Sequence, residues 1–140
     1  MAYDPDNIFA MILRGEAPAV KVYENDHSLA FMDIMPQVDG HTLVIPKAPA
    51  QDLHDLEPDL LAETIRSTQL VAAAVKQAFD APGIMLAQLS GAAAGQTVFH
   101  LHFHILPRFE GIEFKLHARE VEDMDKLEGF AARIRAALVE

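Results

Sequence analysis

The sequence predicts an α+β domain with a five-stranded, mainly antiparallel sheet and two main helices. Two observations support this prediction. Several short runs bounded by turn residues are typical of strands, and the early runs are joined by connections short enough for antiparallel hairpins. The helical segments lie apart from these hairpins along the chain, as they do in α+β proteins. A helix-rich stretch between the third and fourth strands leaves some parallel pairing open.

The first third of the chain combines a short helix with three strands. Residues 6–14 predict the helix, because an acidic start can cap it, its apolar residues have helical spacing and a glycine follows. Residues 20–24 and 28–33 predict strands, and the Asn-Asp pair between them is typical of a hairpin turn. Residues 41–45 predict a third strand, which a proline closes.

The rest of the chain alternates helices with the last two strands. Residues 58–79 predict the longest helix, since proline is tolerated in a first turn and Ala and Leu are frequent afterwards. A Pro-Gly turn precedes a fourth strand at residues 84–89. The small-residue loop 90–95 then leads into a fifth strand that carries three histidines. Residues 121–139 predict a terminal helix with an apolar side.

Length and composition exclude several classes of function. The 140 residues are the length of one ordinary domain, so residues 1–140 are expected to form a single domain. The formal net charge is −10, from 11 basic and 21 acidic residues. This balance argues against sequence-independent nucleic-acid binding, which needs Lys and Arg against phosphates, but it permits a small anionic ligand. The absence of cysteine excludes disulfides, thiolate zinc sites and a cysteine nucleophile.

No feature of the sequence indicates a membrane protein. The N-terminus lacks the basic region and the apolar run of a signal peptide. No stretch approaches the ~18 consecutive apolar residues of a transmembrane helix. We therefore expect a cytoplasmic protein.

The most informative segment is a run in which histidines and apolar residues alternate. His100, His102 and His104 are separated by single apolar residues. Because successive side chains of a strand point to opposite faces, the run predicts a half-buried strand with three imidazoles on its other face. Histidine is the side chain whose unperturbed pKa lies near neutral pH, so three on one face predict a functional site.

The spacing of these histidines separates two kinds of site. A strand rise of ~3.3 Å per residue puts neighbouring histidines ~6.6 Å apart and the outer pair ~13 Å apart. Two of them can converge on a metal ion, but three in a straight row need a bend, so a metal centre is the weaker interpretation.

An extended anion such as a phosphate chain fits the row better. His102 lies in the middle and is a competent nucleophile when neutral, while the outer histidines can donate to phosphate oxygens or protonate a leaving group. The small residues at 91–95 allow backbone N–H groups to approach an anion, and Gln96 and Thr97 add side-chain donors.

Three ordered segments carry a resemblance to a known family. The sequence Gly-Gln-Thr-Val-Phe-His-Leu-His-Phe-His-Ile-Leu-Pro-Arg at residues 95–108 resembles the histidine triad signature, His-φ-His-φ-His-φ-φ with φ apolar. Residues 29–47 and 8–18 also resemble this family, the second of them its nucleotide-binding branch. The resemblance covers roughly residues 6–108, in the family's order. It implies a histidine triad fold whose sheet extends across a homodimer.

The resemblance also implies roles for four histidines. The middle triad histidine of the family forms a nucleotidyl–imidazole intermediate, which corresponds to His102. His100 and His104 correspond to residues that line the phosphate region. His41 corresponds to the histidine that supports the triad from the neighbouring strand. Members of the family hydrolyse nucleoside phosphoramidates, aminoacyl adenylates or dinucleoside polyphosphates, so a purine nucleotide derivative is the expected substrate and no cofactor is expected.

Seven further residues match nucleotide-binding positions of the family. Asp33 matches the acid that holds the ribose hydroxyls, and Gln96 and Thr97 match the pair that contacts phosphate. The positions that match the apolar pocket around the base are Phe9, Ile12, Phe31 and Ile34. From spacing alone these four are residues that fill a core, and only the resemblance assigns them to a pocket.

The sequence departs from the family pattern at two places. Some bacterial relatives hold a structural zinc with Cys-x-x-Cys and histidines, and the matching positions here are Asn7, Ala10 and Pro49, so no zinc is expected. Relatives place Asn or Gln near Leu89 and Ser90, which leaves the substrate and the turnover rate open. A purine nucleotide-binding interaction module with little turnover is therefore the alternative function.

The remaining polar residues show no functional pattern. Residues 109–140 either complete the site of another subunit or cover the sheet. Four residues are interpreted as solvated surface residues: His27, His54, His117 and Arg108.

Overall fold

The computed structural model describes residues 2–111 and 120–139. Its helices are α1 (Ile8–Leu13), α2 (Pro58–Ala78) and α3 (Met124–Ala137). Its strands are β1 (Lys21–Glu24), β2 (Ser28–Met32), β3 (Thr42–Pro46), β4 (Gly83–Ala87) and β5 (Phe103–Arg108). The three helices and the first four strands confirm the sequence predictions, with ends that differ by at most three residues. The fifth strand differs, as described below.

The strands form one sheet in the order β1-β2-β3-β5-β4, and every neighbouring pair is antiparallel. The parallel pairing left open by the sequence does not occur among the described strands. Helix α2 carries the chain from β3 past the position of β5, so β4 becomes an edge strand. The chain is thus an α+β protein with a five-stranded antiparallel sheet, and β5 lies inside the sheet beside β3.

Both faces of the sheet are covered in its centre, and β2 and β3 are buried at every residue. Helices α2 and α3 pack on one face, where Val71 and Ile134 meet Met32, Val44 and Ile105 of the strands. Helix α1 covers part of the other face. The apolar cluster on this face consists of Phe9, Ile12, Leu29, Phe31, Leu43 and Ile45.

Side-chain caps define where the helices begin. The Oδ1 atom of Asn7 accepts a hydrogen bond from the backbone N–H of Ala10 at 2.9 Å, so the cap of α1 is an asparagine rather than the expected acidic residue. The Asp123 carboxylate accepts in the same way from the N–H of Lys126 at 3.1 Å and starts α3. These short polar side chains satisfy N–H groups that have no partner within the helix.

The histidine run departs from the predicted strand. Strand pairing begins only at Phe103, and the N–H of Leu101 donates instead to the carbonyl of Ala50 at 2.8 Å. The apolar residues of the run are buried as expected, but His100 and His102 are also buried, with 0% and 7% of their surface exposed. The run is therefore not half-buried at these two histidines, because Tyr3 and Phe9 of α1 lie against their rings.

Within residues 2–111 and 120–139, no helix combines the length and the apolar character that crossing a membrane requires.

The packing of α3 predicts the effect of a cavity. Ile134 is fully buried between α3 and the sheet, so Ile134→Ala should lower the free energy of unfolding by about 2–5 kcal/mol. Val139→Ala is the control, because 77% of Val139 is exposed, and it should change stability by less than about 0.5 kcal/mol. Urea unfolding measures both values. Equal effects of the two substitutions would show that α3 does not pack on the sheet.

Candidate functional site

Four histidines and one phenyl ring lie together where the loop before β5 meets α1 and β3. The ring centroids of His102 and His104 are 4.9 Å apart, and those of His41 and His104 are 5.1 Å apart. The ring of Phe9 meets His102 edge to face at 5.0 Å. Strand β5 begins at Phe103, so of the three triad histidines only His104 lies within a regular strand.

The protonation of His102 is fixed by a backbone group. Its Nδ1 atom lies 2.7 Å from the carbonyl oxygen of His100, and a carbonyl oxygen can only accept, so Nδ1 carries the proton. Burial lowers the pKa of His102, although this hydrogen bond acts in the opposite direction. A neutral imidazole has a single N–H. The Nε2 atom of His102 therefore carries a lone pair at neutral pH without help from a separate base.

His100 is held at both ring nitrogens. Its Nε2–H donates to the carbonyl oxygen of Pro46 at 2.8 Å, and its Nδ1 atom accepts from the hydroxyl of Tyr3 at 2.6 Å. Burial lowers the pKa of His100, so the ring is neutral in this arrangement. Neither nitrogen is left for the phosphate contact that the sequence predicts. The geometry gives His100 an anchoring position beside His102.

His41 and His104 form a second fixed pair. The backbone N–H of Gln37 donates to Nδ1 of His41 at 3.1 Å, so the proton of His41 lies on Nε2. This Nε2–H donates to Nδ1 of His104 at 2.8 Å, which puts the proton of His104 on its own Nε2. Burial lowers the pKa of His41 to about 3 and that of His104 to about 4, and the neighbouring imidazoles add to both shifts.

Asp33 lies at the edge of this histidine pair. Its Oδ2 atom is 3.5 Å from Nε2 of His41, and its Oδ1 atom accepts from the N–H of Met35 at 2.9 Å. Burial raises the pKa of Asp33 to about 6, because the loss of water disfavours the carboxylate more than the Met35 hydrogen bond stabilises it. The side chain remains 20% exposed, so a ligand can reach it.

Asp33, His41 and His104 also bring three possible metal ligands together. One ligand atom from each of Asp33, His41 and His104 lies within 4.8 Å of the others, which is close enough for one ion. A metal requires a lone pair on each ligating nitrogen. The hydrogen bond from Gln37 instead puts the proton of His41 on Nε2, the nitrogen that faces His104. This protonation fits a hydrogen-bonded network better than a metal centre.

The four residues assigned to a base pocket are divided in the structure. Phe9, Ile12 and Phe31 are at least nine-tenths buried in the cluster under α1, as their spacing predicts for core residues. Ile34 follows Asp33 and is 43% exposed. Of the four residues, only Ile34 therefore presents a large apolar surface to solvent. The other three lie in the core, where Phe9 contacts the ring of His102.

Gln96 is buried and acts within the protein. Its Nε2 atom donates to the carbonyls of Gln51 at 2.7 Å and Val98 at 3.0 Å, and its Oε1 atom accepts from the N–H of Gly91 at 2.7 Å. An amide group has two N–H donors, and both are used here. The geometry thus gives Gln96 a role in holding the loop rather than the predicted phosphate contact. Thr97 is exposed and remains a candidate donor.

The glycine-containing loop closes on itself. The N–H groups of Ala94 and Gln96 donate to the carbonyl of Gly91, and the N–H of Gly95 donates to Ala92. The N–H groups of Gly91, Ala94 and Gly95 are thus engaged within the loop, and the expectation that residues 91–95 offer backbone donors to an anion stays a prediction. Gly95 has a φ of +106°, which favours glycine, and a Cβ there would lie 3.3 Å from the side chain of Leu89.

Ser90, which follows Leu89, forms hydrogen bonds within the protein. The hydroxyl of Ser90 exchanges hydrogen bonds with the side chain of Gln88 at 2.9 and 3.2 Å and accepts from the N–H of Leu53 at 3.3 Å. Leu89 and Ser90 are both half-buried. The hydroxyl of Ser90 thus connects the segment after β4 to the loop that carries Leu53.

Comparison with known proteins decides the family. Residues 14–111 match the HIT domain, which is more than half of the chain. The chain belongs to the histidine triad family. This membership confirms the resemblance inferred from the histidine run and its two flanking segments.

Solved and curated histidine triad proteins resemble three quarters or more of the chain. A Hit-like protein from Bartonella henselae, solved with an unknown ligand, is 52% identical, with a TM-score of 0.92 over 98% of this chain and all of that one. A hypothetical histidine triad nucleotide-binding protein from Sulfolobus tokodaii is 34% identical, with a TM-score of 0.85 over 92% and 89% of the chains. The adenylylsulfatase HINT3 of Arabidopsis thaliana is 39% identical over 75% of this chain and 53% of that protein.

The positions that match the family's zinc ligands do not fit that metal here. Asn7 uses its side-chain oxygen to cap α1, Ala10 is a buried residue of that helix, and Pro49 is exposed. None of these side chains provides the nitrogen or sulfur ligands that a structural zinc requires.

The residues interpreted as surface residues are found in several environments. His27 and His54 are exposed, as expected, whereas Arg108 is half-buried and has an interaction partner within the protein. His117 lies outside the described residues.

Two contributions to the site were missed in the sequence. Tyr3 donates to His100, but a single tyrosine in an N-terminal segment shows no periodicity or motif that would indicate this role. The N–H of Gln37 sets the protonation of His41, and a backbone group carries no signal in the residue type. A proline-rich loop after Asp33 was the only indication that the backbone there is irregular.

The buried histidine pair predicts a pH dependence of stability. The folded pKa of His41 is about 3, below the unfolded value of about 6.5, so below pH 6.5 the unfolded chain binds a proton that the folded chain does not. His41 therefore supports folding fully above pH 6.5, and this contribution is lost as the pH falls towards 3. His41→Gln should reduce the slope of unfolding free energy against pH by up to about 1.4 kcal/mol per unit between pH 6 and 4.

Urea unfolding at several pH values measures this slope. The exposed His54→Gln is the matched control and should leave the slope unchanged. Identical slopes for the wild type and His41→Gln would mean that His41 titrates normally in the folded protein.

Proposed function

We propose that the protein is a nucleotide hydrolase that forms a covalent nucleotidyl intermediate on His102. The proposed substrates are purine nucleoside phosphoramidates, aminoacyl adenylates or dinucleoside polyphosphates, and the product is a nucleoside monophosphate. The observation that carries the proposal is the lone pair on Nε2 of His102, fixed by the 2.7 Å hydrogen bond from Nδ1 to His100. Membership of the histidine triad family supports it, as do the nucleotide-binding and adenylylsulfatase names of two relatives.

In the first step, the Nε2 lone pair of His102 attacks the α-phosphorus. A P–N bond forms, and the bond from phosphorus to the leaving amine, acyl or nucleotide group breaks. The leaving group departs with the bonding electron pair and takes up a proton from solvent. His102 then carries phosphorus on Nε2 and a proton on Nδ1, so the ring is cationic. The carbonyl of His100 stabilises this cation because it accepts the Nδ1–H.

In the second step, water attacks the same phosphorus and the P–N bond to His102 breaks. The electron pair returns to Nε2, the oxygen of water becomes part of the nucleoside monophosphate, and the extra proton of water is released to solvent. The imidazole is again neutral with its proton on Nδ1. Both steps balance without a metal or a redox cofactor.

Other residues of the site are proposed to bind the nucleotide. The Nε2–H of His104 lies next to His102 and is a suitable donor to an α-phosphate oxygen. The half-buried carboxylate of Asp33 is proposed to accept hydrogen bonds from the ribose hydroxyls. The exposed side chain of Ile34 is proposed to contact the purine, and Thr97 to donate to a distal phosphate.

A nucleophile substitution tests this function. His102→Ala should lower the rate of AMP release from adenosine 5′-phosphoramidate by at least about 1,000-fold, because the lone pair that attacks phosphorus is lost. His54→Ala is the control, since its imidazole is exposed and distant in the sequence from the triad. Mass spectrometry of the acid-unstable adduct, after a rapid quench at neutral to alkaline pH, should locate AMP on His102. Turnover by His102→Ala at the wild-type rate would rule out the mechanism.

The alternative is a purine nucleotide-binding module with little turnover. The observation in its favour is the engagement of Ser90 with Gln88 and Leu53, which leaves its short side chain tied to the protein where relatives carry an amide. Calorimetry and the adduct experiment separate the two functions. Binding of AMP without a trapped adduct would favour the module.

We also propose that the protein forms a homodimer through β4. This strand lies at the edge of the sheet and carries two exposed apolar side chains, Met85 and Leu86, which are 39% and 52% exposed. An exposed apolar edge strand exposes unpaired backbone groups and is a site for pairing with another chain. A second copy of β4 would extend the sheet and cover both side chains.

A charge at the edge tests the dimer. Leu86→Arg should convert a particle with twice the mass of one chain into a monomer, because pairing would bury the guanidinium. Val139→Arg introduces the same charge at a residue that follows α3 and is 77% exposed, and it should leave the mass unchanged. Light scattering coupled to gel filtration measures both. A wild-type monomer would contradict the proposed assembly.

A further inference from the structure

The N-terminal segment is attached to the site by two contacts. The hydroxyl of Tyr3 lies 2.6 Å from Nδ1 of His100, and the tyrosine ring meets the imidazole edge to face at 5.7 Å. One residue earlier, the carbonyl of Ala2 accepts from the side-chain amide of Gln51 at 3.2 Å. Tyr3 therefore reaches a residue 97 positions away along the chain, next to the proposed nucleophile.

The direction of the Tyr3 hydrogen bond follows from the other end of the imidazole. The Nε2 atom of His100 faces the carbonyl oxygen of Pro46 at 2.8 Å, and this oxygen can only accept. The proton of a neutral His100 is therefore on Nε2, and Nδ1 holds a lone pair. The O–H of Tyr3 is the donor to that lone pair.

The backbone at His100 lacks the support of the sheet. Strand β5 begins at Phe103, so residue 100 does not belong to a ladder of strand hydrogen bonds. The carbonyl of His100 nevertheless accepts the Nδ1–H of His102, which sets the protonation of the nucleophile. The peptide group that contains this carbonyl is held by the N–H of Leu101, which donates to the carbonyl of Ala50 at 2.8 Å. The His100 side chain adds two further contacts, one to the carbonyl of Pro46 and one to the hydroxyl of Tyr3.

We propose that Tyr3 is a positioning residue for the reaction: its hydroxyl holds His100 so that the His100 carbonyl keeps the proton of His102 on Nδ1 and the lone pair on Nε2. This inference rests on the proposed function of His102 and adds a group that acts on the nucleophile through another residue. The N-terminal segment is thereby part of the site, although it lies outside the histidine run.

Tyr3→Phe tests the hydroxyl while it keeps the ring. A lone pair on buried Nδ1 of His100 then has no donor. We expect a loss of about tenfold in kcat, because a smaller fraction of His102 then carries the lone pair on Nε2. KM should change by less than about twofold, because the substitution acts on the nucleophile and not on nucleotide contacts. Tyr23→Phe is the matched control. It removes the other tyrosine hydroxyl of the chain, on β1, and should leave both constants within about twofold.

A second readout reports the protonation state directly and does not depend on turnover. Long-range 1H–15N NMR of 15N-histidine-labelled protein should show His100 protonated on Nε2 and His102 on Nδ1 in the wild type. In Tyr3→Phe, the 15N resonance of His100 Nδ1 should move towards the value of an imidazole nitrogen without a hydrogen bond, and His102 should show a mixture of the two neutral forms. Tyr23→Phe should reproduce the wild-type spectrum.

The outcomes separate this inference from the proposed function. A wild-type His100 protonated on Nδ1, or an unchanged His100 and His102 spectrum in Tyr3→Phe, would overturn the role of Tyr3 even if His102 forms the adduct. A wild type without an adduct would overturn the hydrolase while the NMR result still reports on the hydrogen bond. Equal losses of kcat in Tyr3→Phe and Tyr23→Phe would indicate a general effect on stability and would also count against the inference.

Discussion

The site depends on hydrogen bonds between buried, neutral imidazoles and backbone groups. A neutral imidazole has one N–H and, on its other nitrogen, one lone pair. A fixed partner at either nitrogen therefore decides which of the two carries the proton. The carbonyls of Pro46 and His100 set the protonation of His100 and His102, and the N–H of Gln37 sets that of His41. Burial lowers the pKa of each ring, so these assignments hold at neutral pH.

The antiparallel sheet supplies these backbone groups in the right places. Thr42 of β3 pairs with Ile105 of β5, so His41 and His104 are diagonal neighbours across two adjacent strands. Pro46 ends the same strand, which brings its carbonyl to His100 at the other end of the site. One strand thus organises both ends of the histidine row, and the insertion of β5 between β3 and β4 is the feature of the topology that makes this possible.

The sequence predicted the elements and the family better than it predicted the environment of the site. Alternation in the histidine run correctly indicates which side chains share a face, because that depends only on backbone geometry. It does not indicate whether the histidine face is open, because burial of His102 depends on Phe9 from a helix more than 90 residues away. Gln96 shows the same limit: its residue type suits a phosphate or a carbonyl, and only the folded loop decides between them. The predicted homodimer, base pocket and phosphate contacts remain predictions.

Burial has opposite effects on the two kinds of titratable group in the site. It disfavours whichever form is charged, so it lowers the pKa of His104 to about 4 and raises that of Asp33 to about 6. Above pH 4, His41 and His104 are therefore mostly neutral, whereas the Asp33 carboxyl changes from acid to carboxylate as the pH rises through about 6. The carboxylate is a stronger acceptor than the protonated acid, in which one oxygen carries a hydrogen and acts as a donor. Asp33 should therefore bind ribose hydroxyls more strongly as a carboxylate, and its contribution to nucleotide affinity should increase as the pH rises through about 6.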